Sequence, residues 1–370
     1  DNSKKVMDTF TTMPFVERIL AKGETKSMVV LKNGLQADVR VVEKKAFGAA
    51  LNYFTGNVDH NVALRRIAIE KGYKLSEYGL FDRKTNKYVA GKTEDELYKK
   101  LGLRYIEPEL RENRGELSAS AKNNLPNLIK LSDIRGDFHM HTRYSDGVST
   151  VEQMASHAQK LGYEYIAISD HSVTRANAHG MEIERLLKQL DEIKKLQKKF
   201  KMKIFTASEV DILGNGELDY PSEILKKLDI VIGSVHSGFK SDESKMTARI
   251  CRALENKYLD ILGHPTGRLI NQRNPYEIDL KKVFDTASQN GKIIEINAHP
   301  ARLDLKDEHI LLAKQYGLKF AINTDAHAVD QLNLMKYGVH TARRGWLEAK
   351  DVVNALPLKG LQKIFKRIKS

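Results

Sequence analysis

Residues 136–147 read GDFHMHTRYSDG. The run RGDFHM (135–140) is strand-like and leads into His139 and His141, two positions apart. Strand side chains alternate between faces, so this pair points one way and can share one ion. Comparable short runs follow: YIAISD (165–170), KIFTASE (203–209), DIVIGSV (229–235), DILGH (260–264), KIIEIN (292–297) and KFAINTD (319–325). Helical segments such as MEIERLLKQLDEIKKLQKKF (181–200) fill the gaps. Strand and helix alternating over ~240 residues predict a parallel sheet, open or closed, and the length fits a barrel.

A polar or ionisable residue stands at or just beyond the end of nearly every run, where barrel chemistry is located. His139, His141, Asp146, His171, Glu209, His236, His264, Asp325 and His327 form this set of nine. Asp325 and His327 repeat the two-residue spacing at the far end of the chain, and barrel closure would bring first and last strands together. A single strand-end histidine is usually structural, but nine donors in register with the strands argue for metal. Imidazole and carboxylate without thiolate suit zinc, manganese or iron and suit magnesium poorly. Nine donors exceed one ion's coordination, so two or three divalent ions are expected, with Glu209 as the natural bridge. Clustered cations lower the pKa of bound water and hold phosphate oxygens, which points to phosphoester hydrolysis.

The 370-residue chain has 41% hydrophobic and 29% charged residues, which argues against disorder. No apolar run approaches the ~20 residues of a membrane helix, and no signal peptide is visible. The single Cys251 excludes an internal disulfide and thiolate-rich zinc sites, and a cytoplasmic setting is expected. The net charge of +13 favours a polyanionic partner such as nucleic acid. It is spread along the chain, +6 over residues 1–133 and +7 over 134–370. Lys-rich 188–203 and 359–369 read as solvated helix faces, with nucleic-acid contact as the other reading.

Upstream, SMVVL (27–31) and ADVRVV (37–42) read as a hairpin about Asn33-Gly34. NVALRRIAIEKG (61–72) reads as a helix stopped at Gly72, and TEDELYKKLG (93–102) as a helix with a capping box of Thr93 and Glu96. The intervening YKLSEYGLFDRKTNKYV reads as two strands around a polar turn. RENRGELSASAKNNLP is polar and aperiodic and reads as a linker.

At GDFHMHTRYSDG, followed in order by SDH (169–171), ASE (207–209), SVH (234–236), GHP (263–265) and NTDAH (323–327), the sequence resembles the polymerase and histidinol phosphatase (PHP) domain. The resemblance implies a distorted (β/α)7 barrel with a trinuclear site: one ion on His139, His141, Glu209 and Asp325, a second on Glu209, His236 and His264, and a third on Asp146, His171 and His327. Asp146, where some relatives have histidine, favours manganese. The amidohydrolases also open on His-x-His, but Glu209 standing for their bridging lysine and the Asp325–His327 pair favour the PHP reading.

GETKSMVVLKNGLQADVRVV and YFTGNVDHNVALRRIAIEKGYKLSEYGLF resemble the palm end and thumb of a family X DNA polymerase. The expected class is therefore α/β: a PHP barrel at 134–370 after a small α+β remnant, with partial palm at 1–56, thumb at 57–112 and linker at 113–133. The resemblance implies that Asp38 is a palm carboxylate for Mg2+, that Tyr53, Phe54 and Gly56 line the incoming nucleotide, and that Asn61 and Arg65 touch nucleotide and template. Polymerase chemistry needs an Asp-x-Asp pair, and the chain has none. It begins at Asp1 rather than Met, and fingers and a lyase-like domain are missing, so a fragment made by proteolysis or design is expected, one that does not extend primers.

Around the barrel mouth, Arg143, Tyr144, Arg175, Arg268 and Arg302 are candidates for substrate contact, Arg268 and Arg302 the better two; His299 is ambiguous. The expected catalytic set is His139, His141, Glu209, Asp325, Arg268 and Arg302. The family resemblance implies a metal-dependent 3′→5′ exonuclease, with 3′-end trimming or abasic-site incision in base-excision repair, on primer ends and on gapped or abasic duplex DNA. A small-molecule phosphatase and a non-catalytic barrel that steadies the polymerase are the alternatives.

Overall fold

The computed structural model describes residues 2–174 and 178–368. It divides into two compact units, Asp1–Leu125 and Pro126–Ser370. Among the described residues no helix is long and apolar enough to cross a membrane.

In the first unit, helix α1 (Ser3–Thr11) packs Met7 on an antiparallel sheet of β1 (Val16–Lys22), β2 (Lys26–Leu31) and β3 (Gln36–Arg40). The expected hairpin is β2–β3, and Gly34, at φ +82°, supplies its turn. Strand β1 was not legible in the sequence. Two register shifts break its alternation, and all but Val16 are exposed, so no apolar face marks it.

Helices α2 (Phe47–Thr55) and α3 (Val58–Glu70) follow, then a sheet of β4 (Tyr73–Ser76), β5 (Gly79–Asp82) and β6 (Tyr88–Ala90), and helix α4 (Glu94–Lys100). Helix α3 starts three residues before the expected 61, because the Asn57 side chain caps it by accepting from His60 N at 2.7 Å. The expected pair of strands at 73–89 is three. The Thr93 cap is present, accepting from Glu96 N at 3.1 Å, but the capping box is not: the Glu96 carboxylate turns to Lys92 N.

The expected linker at 113–133 contains the boundary between the two units, after Leu125, but is not without secondary structure. It holds α5 (Glu116–Ala121), and Glu116 is fully buried, accepting from Asn113 N, Arg114 N and, at 2.6 Å, the His60 ring. The polarity of this stretch serves a satisfied buried carboxylate, not a solvated tether.

The second unit is a seven-stranded parallel sheet in sequential order: β7 (Gly136–Asp137), β8 (Tyr165–Ile168), β9 (Lys203–Asp211), β10 (Ile230–Ser234), β11 (Ile261–Leu262), β12 (Ile293–Asn297) and β13 (Lys319–Asn323). All seven expected runs are strands. Outside it lie α6 (Val151–Lys160), α7 (Ile183–Leu196), α8 (Ser222–Leu225), α9 (Glu243–Leu254), α10 (Leu280–Gln289), α11 (Asp307–Gln315) and α12 (Met335–Arg344). The ends of the sheet meet where His141 N donates to Ala326 O at 2.7 Å and Phe138 N to the Asn323 side chain at 3.1 Å, giving a nearly closed barrel.

Phe138, Tyr165, Phe205, Ala207, Ile230, Ile232 and Ile293 fill the interior. The final helix, α13 (Leu358–Ile364), and the residues after it plug one end with Leu361, Phe365 and Ile368. Each fully buried aromatic contributes about 1.5–3 kcal/mol. Gly136 is required by this packing, since a Cβ there would lie 2.2 Å from Tyr165 O.

Candidate metal centre at the barrel mouth

Alternation along β9 places Phe205, Ala207 and Glu209 toward the interior, with Glu209 at the mouth. Its carboxylate is buried and faces ring nitrogens from four other strand ends. Oε1 lies 2.9 Å from His264 Nε2 and 3.3 Å from His236 Nε2. Oε2 lies 3.3 Å from His139 Nε2, 3.5 Å from His141 Nε2 and 2.8 Å from His171 Nδ1. Asp325 Oδ1 completes the first group at 3.0 Å from His141 Nε2 and 3.5 Å from His139 Nε2. Asp146 joins another group, with Oδ2 3.5 Å from His171 Nε2 and Oδ1 3.3 Å from His327 Nε2. All nine expected donors therefore come together. His264 and Asp325 hold positive φ, +24° and +53°, a strained region for such residues that concentrates at functional sites.

Mutual electrostatics dominate this cluster. Burial penalises charge on Glu209 and Asp325, yet the surrounding imidazoles hold both carboxylates well below their usual range. Burial likewise opposes a proton on His171, but Glu209 and Asp146 raise it to about 10. His141 goes the other way, lowered to about 4 by burial and by His327 and His171. Several buried atoms here have no hydrogen-bond partner: His139 Nε2, His141 Nδ1, His171 Nδ1, His264 Nδ1 and Glu209 Oε2. Among them Glu209 Oε2 lies 3.3 Å from His139 Nε2 and 2.8 Å from His171 Nδ1, and unsatisfied nitrogens facing a carboxylate fit a divalent cation.

Sequence reasoning missed the groups behind these donors. Glu295, fully buried on β12, accepts from the His139 ring at 2.7 Å and from His264 N at 2.6 Å. Asp211 holds His236 Nδ1 at 2.5 Å. Asn297 donates to Asp325 Oδ2 at 3.0 Å. Asp170 accepts from Thr142 N, Ser145 N and Gln189, and so fixes the loop that follows His141. A lone carboxylate inside the apolar run KIIEIN was the available signal for Glu295.

The arginine expectations divide. Arg302 reaches the cluster: its Nε lies 3.4 Å from Asp325 Oδ2, and its Nη1 is buried without a partner. Arg268 is tied to the backbone: its guanidinium donates from Nε to Arg302 O, at 2.8 Å, and from Nη2 to Leu303 O, and so shapes the turn that presents Arg302. Arg143 Nε is likewise spent on Val148 O, and Tyr144 donates to Glu192. His299 is half-buried, accepts from Ala301 N at 3.2 Å and is lowered by burial. Arg175 lies outside the described residues.

The remaining expected residues belong to the first unit. Tyr53 and Phe54 are exposed, with rings edge to face at 5.1 Å, and Arg40 lies over Phe54. Asn61 donates to Tyr53 O and Gly56 O and so pins the turn between α2 and α3, while Arg65 Nε reaches Asn61 O at 3.3 Å. Asp38 is exposed and accepts from the Gln36 side chain, and Arg40 pairs with Glu77 at 3.1 Å.

Residues 50–112 match the DNA polymerase beta thumb model, and residues 137–299 match the PHP domain model. The chain is 40% identical to the DNA polymerase/3′-5′ exonuclease PolX of Bacillus subtilis (strain 168), over 99% of this chain and 65% of that protein. It is 36% identical to a probable phosphatase of Thermoanaerobacter sp. (strain X514), over 52% of this chain and 78% of that protein. The solved histidinol phosphate phosphatase of Lactococcus lactis, complexed with zinc, L-histidinol and phosphate, aligns at a TM-score of 0.44 and 18% identity, over 56% of this chain and 93% of that one. Two family models in this order, on a barrel whose mouth gathers all nine donors, agree with these alignments: the chain belongs to the PHP-domain family, and it spans about two thirds of the PolX protein that it resembles along its length.

Proposed function

We propose that this chain hydrolyses phosphodiester bonds at the 3′ end of DNA, using two or three divalent ions held at the barrel mouth. The observation that carries this is the Glu209 carboxylate, with one oxygen toward His236 and His264 and the other toward His139, His141 and His171. On this reading His139, His141, Glu209 and Asp325 hold one ion, Glu209, His236 and His264 a second, and Asp146, His171 and His327 a third. The hard Asp146 donor favours manganese over zinc. Bound ions of this kind supply a water nucleophile near neutral pH and a charge clamp on the phosphate.

The chain's own residues have separate tasks. Glu295 and Asp211 orient His139 and His236 through their Nδ1 atoms, leaving Nε2 for the ion. Arg302 offers its free Nη1 to a non-bridging phosphate oxygen, and Arg268 holds the turn that aims it. Residues 1–56 stand as the palm portion, where exposed Tyr53 and Phe54 face the incoming nucleotide, and 57–112 as the thumb, where Arg65 faces nucleotide and template. With no Asp-x-Asp in the chain, primer extension is not expected.

End-labelled primer DNA, compared with p-nitrophenyl phosphate and histidinol phosphate in the presence of Mn2+, tests the proposal. Stepwise loss of nucleotides from the 3′ end, abolished in folded His141→Ala and Asp325→Ala variants, is the expected result. Preferential hydrolysis of the small esters would replace it with a phosphatase, and no activity on any substrate would leave a structural barrel.

A further inference from the structure

The crossover between β9 and β10 carries only the four-residue α8, whereas the neighbouring α7 and α9 have 14 and 12 residues. The wall is left uncovered there. A groove of about 840 Å3 opens between α7, the start of β9 and the end of α8, with Lys194, Lys203, Lys226 and Lys227 on its sides. Two carboxylates, Asp191 and Asp229, share the groove. Asp229 accepts from Thr206 N and Oγ1, both at 2.9 Å, and Asp191 lies 3.6 Å from Lys194. Arg367 is held by Asp260 and Leu228 O. Lys226 and Lys227 are exposed, and Lys203 Nζ lies 5.8 Å from the centre of the Phe205 ring. Five cations and two carboxylates thus line one concavity, a net positive arrangement that focuses positive potential.

We propose that this groove binds the backbone of a single DNA strand, as a second contact site separate from the metal centre. A concavity within the usual ~300–1,000 Å3 of a ligand pocket admits a few nucleotides of one strand and not a duplex. No aromatic side chain lines it, so recognition is by phosphate, indifferent to sequence and sensitive to salt. Lys203 and Glu209 stand six residues apart on β9, roughly 20 Å at strand rise. A strand with its end at the barrel mouth is thus gripped again at the far end of the same β-strand. The identity of the strand rests on the proposed hydrolase reading; the binding itself does not.

Fluorescence anisotropy of EDTA-treated protein with a labelled oligothymidylate of about 20 nucleotides, over a salt series, tests this. Lys203→Glu/Lys226→Glu/Lys227→Glu is expected to bind at least tenfold more weakly. Its slope of log affinity against log salt should fall by about 2, at ~0.7 per lost single-strand phosphate contact. Lys281→Glu/Lys282→Glu/Lys336→Glu, an equal charge change on other helices, should keep the parent slope. Should the triple variant fail to fold, Lys203→Ala, Lys226→Ala and Lys227→Ala should each remove about 0.7 from the slope. An unchanged slope in the groove variants, or an equal loss in the control, overturns the proposal. So does capture of the parent by phosphatidylserine vesicles without binding of the oligonucleotide. Hydrolysis of p-nitrophenyl phosphate with Mn2+, expected to be equal in parent and groove variant, reads the metal site separately, so failure there leaves the binding result intact.

Discussion

Glu295 Oε1 lies 2.7 Å from His139 Nδ1, while Oε2 accepts the backbone N–H of His264 at 2.6 Å. One buried carboxylate thus fixes a donor of the first proposed ion and a donor of the second, across two strand ends. Outer carboxylates on metal-binding histidines set the tautomer and raise ligand basicity, and losing one typically costs 10–100-fold in metal affinity. Glu295→Gln keeps the volume and removes the charge. Calorimetric titration with Mn2+ should show affinity reduced by about that factor in a folded variant. Equal affinities would show that Glu295 supports the barrel only.

Metal addition should stabilise the chain strongly, because it satisfies buried atoms that otherwise have no partner. At a free ion concentration near 100 times Kd, linkage gives about 2.7 kcal/mol. For a unit of this size that corresponds to a rise of roughly 5–10 °C in Tm. Thermal melts with EDTA and with Mn2+ check the shift. Asp325→Ala should lose most of it, and a shift retained in full would place the ion elsewhere.

On the proposed reading Arg268 and Arg302 act in series, the first holding the turn and the second meeting the substrate. Loss of one preorganised donor to a developing anionic centre costs about 10²–10³-fold in rate. Arg302→Ala should lower kcat/KM on DNA ends by this order, and Arg302→Lys should rescue it only in part, because a guanidinium fork matches phosphate oxygens and an ammonium does not. Arg268→Ala should give a smaller loss, and the double variant should be no worse than Arg302→Ala. Additive losses in the double variant would separate the two roles.

Asp260 gives a pH signature away from the metal centre. Burial raises its carboxyl to about 6 from 3.8, outweighing Arg367 and Val231 N–H. Folding therefore takes up a proton here. The stabilisation is fully present below pH 3.8 and is lost as pH rises through about 6, a change on the order of 3 kcal/mol. Asp260→Asn cannot ionise. Urea unfolding of parent and variant between pH 4 and 7 should show their stability difference moving toward the variant as pH rises; a constant difference would mean that Asp260 keeps an ordinary pKa.

The seven barrel strands were legible because each is an apolar run buried on both faces, and such runs stand out from helical periodicity. The nine donors were legible because each ends or follows one of those runs. Strand β1 was not, because its exposed side chains and shifted register leave no alternation to read. Helix α5 was misread for the opposite reason, since the buried Glu116 has the composition of solvent-facing chain.

Local patterning, set by residue type and period, thus determined the order of the seven parallel strands and the residues at their ends. It could not assign partners to polar groups, because hydrogen bonds between residues far apart in sequence leave no local period. Closure of the barrel set which imidazoles face each oxygen of Glu209, put Glu295 behind His139, and brought the guanidinium of Arg268 onto the turn carrying Arg302.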